Sequence, residues 1–186
     1  MDDTLKEYIE KDLFSELKWL LCAAAQWDIH DKLIGEPPRV AKIAEPCPHL
    51  KVYAMDSAFL HARSLYEFFT ATDNAITKNE KRGLKRLTWR DYSRSARQES
   101  ARYKTVMIPL HGRVMHLDRD RTGYEEIKKE VVNLASDILD VWGRFSKSPG
   151  LEEYVGLLDQ IRGCVIAEVL MFADRYKELG YESPFS

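Results

Sequence analysis

The chain is short of most features that announce a function. It has only three cysteines, Cys22, Cys47 and Cys164, widely scattered and forming no Cys-x-x-Cys pair. That excludes a disulfide framework and makes a reducing compartment the expected home. Cys22 and Cys164 lie in apolar helical stretches and read as small core residues. The longest apolar run, Trp19 to Ala25, is far too short for a membrane span. Asp2 and Asp3 carry the wrong charge for a signal peptide, so a cytoplasmic protein is expected, with no membrane association. A formal net charge of −2 exerts no global pull on nucleic acid, so any such pull must be local.

Catalytic signatures are missing as well. No Glu-x-x-His motif occurs, although a dinuclear site in a helical bundle is built from such pairs. The histidines are His30, His49, His61, His111 and His116, and the last two would not share a helix face. There is no Gly-x-Ser-x-Gly, no Walker A loop and no Gly-x-Gly-x-x-Gly. A protein without metal or cofactor is the expectation.

What the sequence does contain is helical periodicity. With 186 residues, 45% of them hydrophobic, the chain suits one domain, residues 1–186, with a real core. Leu5, Ile9, Leu13, Leu17, Leu20, Ala24 and Trp27 recur at steps of three or four, after a possible capping box of Thr4 with Glu7. Phe14, Leu21 and Ala25 widen that stripe, which implies more than one neighbour. Gly35, Pro37 and Pro38 stop the helix, and the proline-rich stretch 36–49 reads as a connection. A second helix from about Leu50 buries Val52, Met55, Phe59, Ala62, Tyr66 and Phe69.

From Thr70 to Tyr92 the pattern dissolves into polar residues. A third helix is expected from about Ser93 to Leu117, broken near residue 108 by Pro109. A fourth, with a Thr122–Glu125 capping box, carries Tyr124, Ile127, Val131, Leu134, Ile138, Val141 and Phe145. A fifth carries Leu151, Val155, Leu158, Ile161, Val165, Val169, Phe172, Tyr176 and Leu179, with Gly180 as its C-cap. No repeat and no convincing strand is present. The predicted fold is all-α: a single bundle of four or five main helices.

Two local features bear on function. Between Lys78 and Lys104, ten basic residues face three acidic ones, a formal +7 that leaves −9 for the rest of the chain. Lys78, Lys81, Arg82, Lys85, Arg86, Arg90, Arg94 and Arg97 form the candidate nucleic-acid-binding set. Trp89, Tyr92 and Tyr103 interleave them, where rings could stack on bases. The alternative is a solvated surface whose charges pair with acidic helices of the same bundle. The second feature is Pro109-Leu110-His111-Gly112-Arg113-Val114-Met115-His116-Leu117. On a helix Arg113 and His116 are neighbours, a guanidinium to hold phosphate beside an imidazole to move a proton. That is a metal-free toolkit for cleaving a phosphodiester; the alternative is a solvated arginine and a histidine at a helix end.

The stretch Ala58-Phe59-Leu60-His61-Ala62-Arg63-Ser64-Leu65-Tyr66-Glu67-Phe68-Phe69, with the later Arg113-Val114-Met115-His116-Leu117, resembles a family of uncharacterised bacterial helical proteins. That family is in turn distantly similar to the HEPN superfamily. The resemblance implies a HEPN-like bundle, often dimeric, and a metal-independent ribonuclease or RNA-binding role in stress or phage defence. HEPN ribonucleases carry Arg, four to six residues, then His, commonly as Arg-Asn-x-x-x-His. With His116 as the motif histidine, the arginine position falls on His111 and the asparagine position on Gly112; Arg113 stands three residues from His116.

The resemblance thus makes His116 the proton-transfer residue, Arg113 and His111 its phosphate-positioning partners, RNA the substrate or ligand and a homodimer the active form. His61 and Arg63 are supporting residues, one of them expected to meet the His111–His116 helix inside the bundle. The competing expectation is a non-catalytic helical interaction protein that docks onto a partner protein. A small-molecule pocket lined by Trp19, Trp27, Tyr66 and Phe69 is a third; ordinary core is the other reading of those four.

Overall fold

The computed structural model describes residues 2–34, 50–84, 87–107 and 129–185, and all of its regular elements are helical. The chain opens with α1 (Asp3–Tyr8), passes through a π-helical turn (Ile9–Leu13) and continues directly into α2 (Phe14–Ile34). Asp2, not Thr4, caps this helix: its Oδ1 accepts from Thr4 N at 2.8 Å and Leu5 N at 3.3 Å. A carboxylate two residues earlier thus takes the Thr4 N–H that the Thr4–Glu7 box was expected to serve, together with that of Leu5. Glu7 pairs instead with Lys11 Nζ at 2.6 Å.

α2 is the centre of the molecule. From Leu20 to His30 every residue except Cys22 and Gln26 is buried, because α3 (Leu50–Thr70), α6 (Glu130–Phe145) and α7 (Val155–Asp174) all pack on it. α3 lies antiparallel along it: Glu16 reaches His61 while Asp31 reaches Lys51. The shorter α4 (Asp73–Lys81) and α5 (Trp89–Tyr92) follow α3. One apolar cluster runs through the helices, with Phe68, Phe69, Trp142 and Phe145 meeting edge to face at its heart. The predicted bundle is thus observed among the described residues.

Details of the expected pattern differ. Residues 93–100, expected to be helical, run without helix, and burial falls on Ala96, Gln98 and Ser100. Side-chain bonding competes with a helix here. Ser93 and Ser95 both donate to Pro149 O, at 2.6 and 3.0 Å, and Gln98 N donates to Phe69 O at 2.9 Å. Ser100 Oγ then accepts from Tyr103 N at 3.0 Å and starts a helical stretch ending in a second π-helical turn, Tyr103–Met107. Pro109 and the Thr122–Glu125 box lie outside the described residues.

α7 ends at Asp174, and Gly180, with φ 82°, closes a separate 3-10 turn, Lys177–Leu179. Val52 and Cys164 are exposed rather than core. Trp19 is 57% exposed, unlike Trp27, Tyr66 and Phe69, which are core. The tail is pinned by Tyr181, whose hydroxyl donates to Asp28 Oδ2 at 2.9 Å while Lys32 holds the same oxygen at 2.8 Å. Among the described residues no helix is long and apolar enough to cross a membrane.

Candidate nucleic-acid interface

The cationic stretch begins on α4. Thr72 caps it, accepting from Ala75 N at 3.2 Å, and Ile76 is its one buried residue. Gly83, at φ 77°, ends it. Gly83 N donates to Glu80 O and Leu84 N to Asn79 O, the paired bonds of a Schellman motif that only a residue at ease in the left-handed region closes without strain. Lys78, Lys81 and Arg82 thereby crowd the C-terminal turn, where the helix dipole favours positive charge. All three are exposed, and none has a carboxylate partner among the described residues.

The remaining cations divide. Arg90 is held by Glu80 and lies 3.7 Å from Asp73, so its charge is spent within the fold. Arg94 is exposed, has no carboxylate partner among the described residues, and borders a hollow of about 480 Å³ with Asp73, Trp89 and Arg90. Arg97 Nε donates to Thr70 O at 3.2 Å, and no carboxylate pairs with it among the described residues. Arg102 pairs with Glu130, and Lys104 lies 3.8 Å from Glu99. Lys85 and Arg86 lie outside the described residues. Among the described residues Arg90, Arg102 and Lys104 pair with acids, while Lys78, Lys81, Arg82, Arg94 and Arg97 have no acidic partner.

Two of the three interleaved aromatic residues, Trp89 and Tyr92, are buried and offer no face for stacking. Trp89 is buried and its Nε1 donates to Ala71 O at 2.8 Å. Tyr92 is buried with its hydroxyl on Leu5 O at 2.9 Å, and burial pushes its ionisation upward. Tyr103 packs on Tyr66 at 5.3 Å between centroids. These rings bind the cationic segment to the core.

His111, Arg113 and His116 lie outside the described residues. Of the supporting pair, His61 Nδ1 stands 2.9 Å from Glu16 Oε2 on α2, and Arg63 Nε donates to Glu67 Oε1 at 2.7 Å on its own helix. Each already has a carboxylate, and they serve different faces of α3. His30 is buried, which lowers its proton affinity, and Lys51 adds to that effect. Among the described residues no group of three or more His, Cys, Asp and Glu side chains is placed to hold a metal ion.

Two polar clusters were not anticipated. Asp137 Oδ2 accepts from both Tyr66 Oη and Ser100 Oγ, each at 2.6 Å, and so ties α3, α6 and the 93–100 segment together. Arg144, Lys147 and Arg162 line a cleft between α6 and α7. No sequence signal marks either, since each joins residues from separate elements. No protein-family model matches this chain, and neither does any curated protein or solved structure.

Proposed function

We propose that this protein is a cytoplasmic, HEPN-like RNA-binding bundle, acting as a homodimer in stress or phage defence. Its cationic surface at the end of α4 holds the phosphate backbone. The observation that supports this is the cluster Lys78, Lys81 and Arg82: exposed, uncompensated among the described residues, and fixed at a capped helix end. With the aromatic rings committed to the core, binding is electrostatic and tolerant of sequence. Metal-independent cleavage is the further step of the same proposal, with His116 transferring the proton and Arg113 and His111 positioning phosphate.

The test is anisotropy with a labelled single-stranded RNA at two or more salt concentrations. Replacing Lys78, Lys81 and Arg82 by Gln should lower the log–log salt slope by about 2, at roughly 0.7 per phosphate contact. An unchanged slope would remove the reading. Cleavage that survives chelator but not His116→Ala would establish the catalytic step, and no cleavage by the wild type would dispose of it.

A second reading, a non-catalytic interaction protein, is favoured by one observation: Trp19, Tyr53 and Leu60 stand 57%, 61% and 50% exposed on the outer sides of α2 and α3. Light scattering of the wild type beside a Trp19→Ser/Leu60→Ser variant separates it from the first. Loss of a defined assembly with RNA binding intact would favour the interaction protein.

A further inference from the structure

Beyond Asp174 the chain leaves α7 and crosses the C-terminal end of α2 as a strap, residues 175–185. Its one regular element is the 3-10 turn Lys177–Leu179, and residues 177–180 are exposed. Among the described residues, every backbone–backbone bond of 175–181 stays within 172–181. Tyr176 N donates to Ala173 O, and Leu179 N and Tyr181 N both donate to Tyr176 O. The strap's backbone is therefore folded on itself, and side chains carry its attachment to the helices.

That attachment centres on Asp28. Its carboxylate is buried, and Oδ2 accepts from Tyr181 Oη at 2.9 Å and from Lys32 Nζ at 2.8 Å. Lys32 faces the strap twice more, with Nζ 3.5 Å from Glu182 O and 5.3 Å from the centre of the Tyr181 ring. Tyr181 joins Ile29 and Leu33 of α2 and Ala173 of α7 in an apolar cluster separate from the main core. Phe185, four residues on, is buried in the main core and makes a second anchor.

A segment with local backbone bonds, an exposed middle and few apolar anchors lies at the low end of a protein's local stabilities. We propose that residues 175–185 open as one unit while the helices stay folded, with Tyr181, Asp28 and Lys32 as the latch. Closed, the strap seals the apolar end of α2. Open, it presents Ile29, Leu33 and Ala173 to solvent, with Asp28 and Lys32 beside them. The strap thus governs access to that surface, independently of the RNA-binding role of α4.

The experiment is thiol labelling under native conditions, in the full chain carrying Cys22→Ala, Cys47→Ser and Cys164→Ser. One reporter is Ile29→Cys, beneath the strap, and the other is Leu134→Cys, in the main core on α6. An aromatic disulfide reagent is applied at several urea concentrations. The Ile29→Cys thiol should react at least tenfold faster than the core thiol, at a rate nearly flat in low urea. The core thiol should follow the full urea dependence of global unfolding. Adding Tyr181→Phe should speed the Ile29→Cys reaction about tenfold, the effect expected of losing a bond to a charged group. Equal rates with equal urea slopes at the two positions would mean that the strap opens only with the whole fold. That result, or no response to Tyr181→Phe, overturns the proposal.

Should the reporter variants not fold, limited trypsin digestion of the chain with its native cysteines replaces them. Cleavage after Lys177 ahead of any site within α2, α6 and α7, and about tenfold faster in Tyr181→Phe, supports the strap. A cleavage rate that Tyr181→Phe leaves unchanged overturns it.

Discussion

Tyr66 on α3 donates its hydroxyl to Asp137 on α6 at 2.6 Å, across 71 residues of chain. Ser100 Oγ donates to the same oxygen, so one carboxylate fastens two helices and a non-helical segment. Tyr66→Phe keeps the ring packing and removes one of the two donors. A loss of about 1.5–3 kcal/mol is expected, the usual worth of a bond to a charged group, read by urea denaturation. A change within error would mean that water replaces the hydroxyl at no cost.

Alkaline pH should loosen the fold through its buried phenols. Burial holds the hydroxyls of Tyr66, Tyr92 and Tyr181 well above the ordinary tyrosine value of 10.0, and Asp137 and Asp28 add to the effect at Tyr66 and Tyr181. Below that value these groups are protonated both folded and unfolded, so they give no slope. Above it the unfolded chain ionises while the folded chain resists, and stability falls as pH rises. The ultraviolet absorbance of tyrosinate followed with near-ultraviolet circular dichroism should show these phenols ionising only as the protein unfolds. Tyr92→Phe and Tyr181→Phe should make the decline shallower.

Two tryptophans on α2 should behave oppositely. Trp27 is buried, with Lys51 Nζ 5.4 Å from its ring centre, while Trp19 is exposed. Trp27→Ala should cost about 3–5 kcal/mol, and Trp19→Ala about 0.5 kcal/mol or less in the monomer. Denaturation curves of the two variants decide this, and equal losses would contradict the burial described.

How much of this was legible in the sequence differs by element. α2, α6 and α7 were readable because apolar residues at helical spacing fall where a core must cover them. α4 was missed because Ile76 is its single buried residue, so it has no stripe; its true signal was the pair of boundaries, Thr72 and Gly83. The helix expected from Ser93 failed because Ser93, Ser95 and Gln98 bond to backbone and side chains far away in sequence, information no local window holds. The cationic excess was plain, but its allocation was not: Arg102 finds Glu130 across 28 residues, and Trp89 and Tyr92 turned inward. The same holds for Arg144 and Arg162, which line one cleft only because the turn at residues 146–154 reverses the chain between α6 and α7.

Gly150 in that turn is a sensitive backbone position. Its φ is 87°, and a Cβ there would stand 2.7 Å from Ser93 Oγ, which itself donates to Pro149 O. Gly150→Ala combines left-handed strain of about 1–2 kcal/mol with the loss or displacement of that bond. A destabilisation of about 2–3 kcal/mol is expected by thermal or urea unfolding, and Ser93→Ala in the same background should recover part of it. No recovery would show that the backbone, not the contact, sets the cost.

The alanine run at residues 23–25 sits where α2 is enclosed by three other helices. Bare methyl groups there leave room for the neighbouring helices to pack close to α2. A single larger residue at Ala24 or Ala25, both fully buried, would press on several helices together rather than on one.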